Sequence, residues 1–123
     1  MNDLSFTDTR EKVKILLVDD AQANLEILGG IVSSNGYAYE TARNGIEALK
    51  KVKTTHPDVI LLDVYMPEMG GVEVCKRLKE DPKTRHIPII VFTAFEDRET
   101  KIKCFQAGAN DFLAKPVDPL ELF

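Results

Sequence analysis

The chain has 123 residues and a mass of 13.8 kDa, which is enough for one domain with a sizeable core. Hydrophobic residues make up 44% and charged residues 29% of the chain, a globular composition that excludes a disordered or collagen-like protein. The net charge is −4 and no basic run occurs, so we expect no nucleic-acid partner, and no apolar run approaches the length of a membrane span.

Short apolar segments alternate with segments of helical periodicity along the chain. Residues 1–12 are polar and are predicted to form an N-terminal tail, with one domain over residues 13–123. Strands are predicted at 15–18, 37–41, 59–62, 87–92 and 112–114. Helices are predicted at 21–34 and 97–107, and two more helices are predicted to begin at 44–45 and at 70–71. Because strands alternate with helices, right-handed crossovers and a doubly wound α/β fold with a five-stranded parallel sheet are predicted.

The apolar spacing within the predicted helices indicates which faces are buried. Ile46, Leu49 and Val52 are predicted to share one face of the second helix, and Ile102 and Phe105 to point inward from the fourth. A further group of residues, from Pro119 to Phe123, reads as only the first turn of a fifth helix. Helix 5 is therefore expected to be truncated, and the chain to be a fragment of a longer protein.

The cysteines and histidines give little sign of a reactive site. Cys75 and Cys104 lie in apolar helical patterns and are predicted to be small buried hydrophobic residues rather than a disulfide or metal pair. His56 and His86 each lie near a proline, without a partner at ligand spacing, and are predicted to be surface loop residues. With no visible secretory signal, these features predict a cytoplasmic protein in a reducing compartment.

Polar residues follow the predicted parallel strands at their carboxyl ends, where open α/β sheets bind ligands. Asp19 and Asp20 follow the first strand, Asp63 the third, Thr93 the fourth and Lys115 the fifth. Three carboxylates at one edge repel one another, so positive charge is expected among them. Lys115 supplies one charge, and Mg²⁺ suits a site of a few carboxylates, waters and phosphate oxygens.

Helix capping is an alternative explanation of these carboxylates, because Asp is favoured at helix N-termini. For Asp20 the alternative stays open. It is weaker for Asp63, since no helix is predicted before Gly70.

Four motifs in order along the chain resemble the receiver domain of bacterial two-component response regulators, of which the chemotaxis regulators are one group. They are Leu-Leu-Val-Asp-Asp at 16–20, Leu-Leu-Asp-Val-Tyr-Met-Pro at 61–67 with Gly70-Gly71, Val-Phe-Thr-Ala at 91–94 and Phe-Leu-Ala-Lys-Pro at 112–116. The resemblance covers roughly residues 13–123. The segment 78–88 is also similar to receivers joined to cyclic-di-GMP enzymes or to histidine kinases.

The resemblance implies a flavodoxin-like sheet of order 2-1-3-4-5, with helices 1 and 5 on one face and helices 2, 3 and 4 on the other. It also implies a cis Lys115–Pro116 bond, and it places Tyr65 and Phe95 beside the path of the water that hydrolyses the phosphoryl group. The resemblance implies that Asp63 is the phosphoacceptor and that Lys115 binds the phosphoryl group. Mg²⁺ would be held by Asp19, Asp20, Asp63 and the backbone carbonyl of Tyr65. Thr93 would be the switch hydroxyl and Phe112 the switch aromatic.

The function implied is regulatory rather than enzymatic. A histidine kinase or phosphotransfer protein would donate a phosphoryl group from phosphohistidine to Asp63 in a Mg²⁺-dependent reaction, and the domain would catalyse only its own phosphorylation and dephosphorylation. The modification would switch the surface that controls a partner or a C-terminal output module, and the family also allows a homodimer.

Three other functions are compatible with parts of the pattern. A phosphatase of the haloacid dehalogenase type also uses Asp, Thr and Lys, but it needs Asp-x-Asp, and here Tyr65 stands two residues after Asp63. A flavodoxin-like cofactor module would need a phosphate-binding loop where Asp19 and Asp20 stand. A degenerate receiver used only for protein contacts would not need the complete set of site residues.

Overall fold

The computed structural model describes residues 13–93 and 98–115. Its elements are β1 (Lys14–Val18), α1 (Gln22–Ser34), β2 (Ala38–Ala42), α2 (Gly45–Thr55), β3 (Val59–Asp63), α3 (Gly71–Glu80), β4 (Ile89–Thr93), α4 (Arg98–Gln106) and β5 (Asp111–Ala114). Strand and helix alternate throughout, as the sequence predicts.

The five strands form one parallel sheet in the order β2-β1-β3-β4-β5, which confirms the predicted fold class and strand order. The register pairs Asp63 with Phe92 and Thr93 with Ala114. The carboxyl ends of β3, β4 and β5 therefore lie side by side, and β1 ends next to β3 on the other flank. The polar residues that follow these strands meet at one edge.

Two apolar clusters cover the two faces of the sheet, because alternate residues of each strand point to opposite sides. On one face α1 packs against β1, β3 and β4 through Leu25, Leu28 and Val32. The opposite face carries α2, α3 and α4 and holds the larger cluster. For the helices described, this confirms the predicted division between the two faces.

The burial of α2 and α4 differs from the prediction. On α2, Val52 is buried and Leu49 packs against the core as predicted, but Ile46 is exposed, and Gly45 and Ala48 are buried in addition. The prediction for α4 was wrong at both positions, since Ile102 and Phe105 are 44% and 43% exposed. The spacing identifies an apolar stripe correctly, but α4 turns a different side toward the sheet.

The cysteines and histidines match their predicted environments. Cys75 and Cys104 are buried and form no disulfide, and burial raises the pKa of the Cys75 thiol to about 11. His56 and His86 are exposed.

Several sequence predictions fall outside the described residues. They concern the tail over 1–12, the residue Phe95, the peptide bond to Pro116 and the start of the fifth helix at Pro119. Within 13–93 and 98–115, no helix has the length and hydropathy needed to cross a bilayer.

Candidate functional site

Asp19 lies at the end of β1 and is completely buried. Its Oδ1 accepts a hydrogen bond from the Ala21 backbone N–H at 2.9 Å, and its Oδ2 accepts one from the Asn24 side-chain amide at 3.1 Å. These donors compensate for the loss of water and fix the direction of the carboxylate. Asp20 is exposed instead, and the Arg43 guanidinium donates to its backbone carbonyl at 3.4 Å.

Helix capping does not explain the acidic residues at these strand ends. The N-cap residue of α1 is Ala21, and no side-chain cap bond is present there. The N-cap of α3 is Gly70, seven residues after Asp63. Asp20 and Asp63 are therefore placed by their strands rather than by a capping role.

Asp63 ends β3 with only 4% of its surface exposed, and the turn that follows is packed closely against it. The Gly71 N–H donates to the Val64 carbonyl at 2.8 Å, which brings the start of α3 against the end of β3. A Cβ atom at residue 71 would lie 2.3 Å from the backbone oxygen of Asp63, so only glycine fits. The α3 N-terminus therefore fixes the backbone that carries the Asp63 carboxylate.

Lys115 reaches the carboxylates from the end of β5. Its backbone N–H donates to the Thr93 carbonyl at 2.9 Å, which continues the β4–β5 pairing by one residue. Its Nζ lies 3.0 Å from Oδ2 of Asp19 and 3.4 Å from Oδ2 of Asp63. The ammonium group also lies 5.0 Å from the centre of the Phe92 ring. One cation is thus shared between two buried carboxylates.

At this edge of the sheet, Lys115 compensates only part of the negative charge of the three carboxylates. Burial raises the pKa of the Asp63 carboxyl to about 6, Lys115 acts against this rise, and the charge of Asp19 adds to it. Carboxylate oxygens of Asp19, Asp20 and Asp63 all lie within 4.8 Å of one another. Three converging hard oxygen ligands with one shared lysine fit a divalent cation such as Mg²⁺.

The predicted switch residues lie on β4 and β5, the two strands that follow β3 in the sheet. Thr93 is buried at the end of β4, and Phe112 is half-buried on β5 with the Nζ of Lys101 5.5 Å from its ring centre. Tyr65 is 47% exposed in the loop after β3, and its backbone N–H bonds to the Asp63 carboxylate. Its hydroxyl lies 2.8 Å from the Thr100 hydroxyl on α4.

The sequence predictions missed four residues that support this site. They are Asn24, Arg43, Thr100 and Gly71, whose lack of a Cβ lets α3 lie against the end of β3. Asn24 carries a usable signal, because it lies in the first turn of the helix that follows Asp19. The Arg43 and Thr100 contacts depend on how separate loops and helices meet, and no local sequence pattern records that.

Comparison with known proteins decides the family. The family model for the response regulator receiver domain matches residues 15–123. The chain belongs to this family. It is a receiver domain of a two-component signalling response regulator, and the family is regulatory.

Relatives of the receiver domain include both long and short proteins. It is 46% identical over 110 residues to the response regulator PleD of Caulobacter vibrioides, and the match covers 89% of this chain but 24% of PleD. The chain thus spans about a quarter of that relative. It is 36% identical over 103 residues to the polar-differentiation response regulator DivK of Brucella ovis, covering 84% of each protein.

Solved structures agree with the fold. A putative response regulator from Chloroflexus aurantiacus superposes with a TM-score of 0.85 at 40% identity, covering 89% of this chain and 90% of that one. The chemotaxis protein CheY4 of Vibrio cholerae gives a TM-score of 0.84 at 34% identity, covering 89% and 92% of the two chains. The receiver domain therefore shares the fold of chemotaxis regulators.

Proposed function

We propose that this receiver domain accepts a phosphoryl group on Asp63 from a phosphohistidine of a histidine kinase or phosphotransfer protein. The observation that carries the proposal is the buried Asp63 carboxylate, 3.4 Å from Lys115 and within 4.8 Å of the Asp19 and Asp20 oxygens. Such an arrangement combines a nucleophile with the positive charge that phosphoryl transfer requires. The domain would catalyse only its own phosphorylation and dephosphorylation.

Asp63 acts as the nucleophile in this reaction. One carboxylate oxygen bonds to phosphorus while the bond between phosphorus and the donor imidazole nitrogen breaks, and the electron pair leaves with the imidazole. The ionised carboxylate needs no general base. Lys115 pairs with the phosphoryl oxygens, and its existing contact with Asp63 positions it for that role.

The Mg²⁺ that the family implies would be held by Asp19, Asp20, Asp63 and the backbone carbonyl of Tyr65. When bound, it neutralises negative charge on the phosphoryl oxygens. The hydrogen bonds that Asp19 accepts from Ala21 and Asn24 hold one ligand in place before the cation arrives.

Thr93 and Phe112 would convert the modification into a change of surface. The Thr93 hydroxyl would bond to the phosphoryl group, and Phe112 would turn inward on β5. Because Lys101 of α4 contacts the Phe112 ring, a change in the ring alters the surroundings of α4 as well. Phosphorylation then shifts a two-state equilibrium by its differential affinity for the two states.

The altered surface would control a partner, a second copy of the domain or a C-terminal output module. PleD, a relative several times longer than the matched segment, supports the presence of a further module in the parent protein. Buried cysteines without a disulfide and a net charge of −4 support a cytoplasmic location without a nucleic-acid partner.

Incubation with acetyl phosphate tests the proposal without a kinase. With Mg²⁺ the intact mass should rise by one phosphoryl group, and with a chelator it should not. Asp63→Asn should abolish the addition. Asp58→Asn is a matched control, because Asp58 is exposed and accepts a hydrogen bond from the Lys14 N–H outside the site. Persistent labelling of Asp63→Asn would reject Asp63 as the phosphoacceptor.

A further inference from the structure

A cleft of about 500 Å³ lies at the amino edge of the sheet, the edge opposite to the carboxylates. It lies where β3 and β4 begin and where α2 and α3 end. We call it the amino-edge cleft. The buried residues of its lining are Val52, Pro57, Thr84 and Ile87, and the exposed basic residues are Lys53, His56, Lys83 and His86. Sites for small molecules in proteins commonly have this volume and this mixture of apolar and polar lining.

The loop from α3 to β4 forms one wall of the amino-edge cleft and is fixed by its own hydrogen bonds. Thr84 is buried, and its hydroxyl donates to the Leu78 carbonyl at 2.7 Å. The Lys79 ammonium group donates to the Ile87 carbonyl at 2.7 Å. Because the polar groups of the loop are satisfied within the protein, this wall keeps its shape without a ligand. A ligand therefore binds without having to order the loop.

His56 contributes to the opposite wall from an unfavourable backbone conformation. It ends α2 with a φ angle of 49°, in the left-handed region, and its N–H donates to the Val52 carbonyl at 3.2 Å. Glycine adopts this conformation without steric cost, whereas a residue with a Cβ is strained there. A histidine at this position is less stable than glycine, so its presence indicates a use for the imidazole that lines the cleft.

The charged groups of the cleft leave two ammonium groups available. Asp58 and Asp81 also line it, but each already accepts a backbone N–H, from Lys14 at 2.8 Å and from Lys83 at 2.9 Å. Among the residues that the structure describes, the basic side chains in ion pairs are Lys51, Arg77, Lys103 and Lys115. The ammonium groups of Lys53 and Lys83 are therefore not neutralised by a carboxylate of that part of the chain.

These groups define the chemistry of a ligand. Two ammonium groups match the two negative charges of a phosphomonoester, and imidazole N–H groups can donate to its oxygens. The apolar inner wall suits a flat apolar body. A metal ion fits less well, because within 13–93 and 98–115 the metal-ligating atoms that converge closely are those of Asp19, Asp20 and Asp63, at the other edge.

We propose that the amino-edge cleft binds a small organic phosphate. The phosphoryl group pairs with Lys53 and Lys83, and a flat apolar body covers Val52, Pro57 and Ile87. The inference does not depend on the proposed function of the carboxylate edge, because it uses none of the residues there.

Titration with 1-naphthyl phosphate, a fluorescent compound of this class, tests the proposal. The chain has no tryptophan, so the naphthyl signal is easily separated from that of the protein. We expect a dissociation constant below about 1 mM for a ligand of this size. The phosphoryl group alone, as inorganic phosphate in displacement, and the apolar body alone, as 1-naphthol, should each bind at least about tenfold more weakly. A chelator in the buffer prevents a metal ion from recruiting phosphate to the carboxylate edge.

Charge-removing variants locate the site. Lys53→Met and Lys83→Met should each weaken binding by about tenfold, because each removes one charge-assisted contact with the phosphoryl group. Lys50→Met is the matched control, since Lys50 is an exposed lysine of α2 that does not line the cleft. It should bind at the parent affinity.

His56→Gly separates a role in binding from general damage to the fold. Glycine relieves the left-handed strain, so the melting temperature should rise by about 3 °C. Loss of the imidazole should nevertheless weaken binding of 1-naphthyl phosphate by about threefold. A more stable protein that binds less well is not explained by unfolding.

Four results would each overturn the proposal. The first is no binding of 1-naphthyl phosphate below about 10 mM. The second is 1-naphthol binding as tightly as its phosphate, which would show an apolar site without anion recognition. The third is parent affinity in both Lys53→Met and Lys83→Met, which would place the site elsewhere. The fourth is an equal loss of affinity in Lys50→Met, which would show attraction by the overall charge of α2.

Discussion

α3 and α4 lie on the same face of the sheet, yet they are held in different ways. α3 buries Gly71, Val74, Cys75 and Leu78. In α4, over Arg98–Gln106, only Cys104 is buried. Near the site, α4 is instead held by surface contacts, from Thr100 to Tyr65 and from Lys101 to Phe112. A helix held by such contacts can be displaced at small cost, whereas a helix that forms the core cannot.

Truncation of one apolar side chain in each helix gives the largest contrast. Leu78→Ala should lower the free energy of unfolding by about 3 kcal/mol, because Leu78 is 3% exposed and its loss leaves a cavity. Ile102→Ala should cost less than about 1 kcal/mol, because 44% of the Ile102 surface is already exposed to water. Urea denaturation of both variants measures the difference. Equal losses would show that α4 is as firmly packed as α3.

The junction of α3 with β3 should be nearly as sensitive. Gly71→Ala places a Cβ 2.3 Å from the Asp63 backbone oxygen, so either α3 or β3 must shift. We expect a loss of about 2 kcal/mol, and at least a tenfold slower phosphorylation by acetyl phosphate because the carboxylate is displaced.

Gly30→Ala is the matched control for that change. Gly30 lies within α1, and a Cβ there would meet no atom within 4 Å. The variant should gain about 0.5–1 kcal/mol from helix propensity and label at the parent rate. If Gly71→Ala behaves like Gly30→Ala, the close fit between α3 and Asp63 does not fix the site.

Charge also affects stability, at the buried carboxylate of Asp63. Because the folded state raises the pKa of Asp63 from 3.8 to about 6, ionisation of this group opposes folding above pH 6. Asp63→Asn should therefore be more stable than the parent in chelator at pH 7.5, by an amount on the order of 2 kcal/mol.

The difference has a defined pH dependence. As pH falls from 6 to 4, the parent takes up a proton in the folded state before the unfolded state does, and it gains stability. The advantage of Asp63→Asn should fade across that interval and be absent below pH 4. Denaturation midpoints at several pH values measure it. An advantage that is constant with pH would assign the effect to packing instead.

The sequence predicts the sheet and its polar edge well, for a physical reason. Continuously apolar strands are readable without tertiary information, and a parallel sheet brings the ends of its strands to one edge. Lys115 therefore lies within ion-pair distance of both Asp19 and Asp63 at that edge. Thr93 is buried at the end of the neighbouring strand β4. The order of the strands came from the family resemblance, since periodicity alone does not fix it.

The arrangement of α4 is not predictable in the same way. Ile102 and Phe105 have the spacing of a buried face, but a helix that is only partly covered can leave such a face in water. The contact between Tyr65 and Thr100 depends on the path of a loop and the position of a helix. The spacing of residue types along the chain does not encode either of these. Sequence reasoning therefore predicts the residues whose positions the strands fix. It does not predict the contacts that depend on how α4 is placed.

The ion pair of Lys115 with Asp19 joins residues 96 positions apart in the chain. A nascent chain that has not yet paired β5 lacks this cation, and its carboxylates repel one another around an incomplete site. We expect such a chain to be a poor phosphate acceptor. If Asp63 accepts phosphate as proposed, that competence therefore waits for the pairing of β5 and cannot precede the folding of the whole sheet.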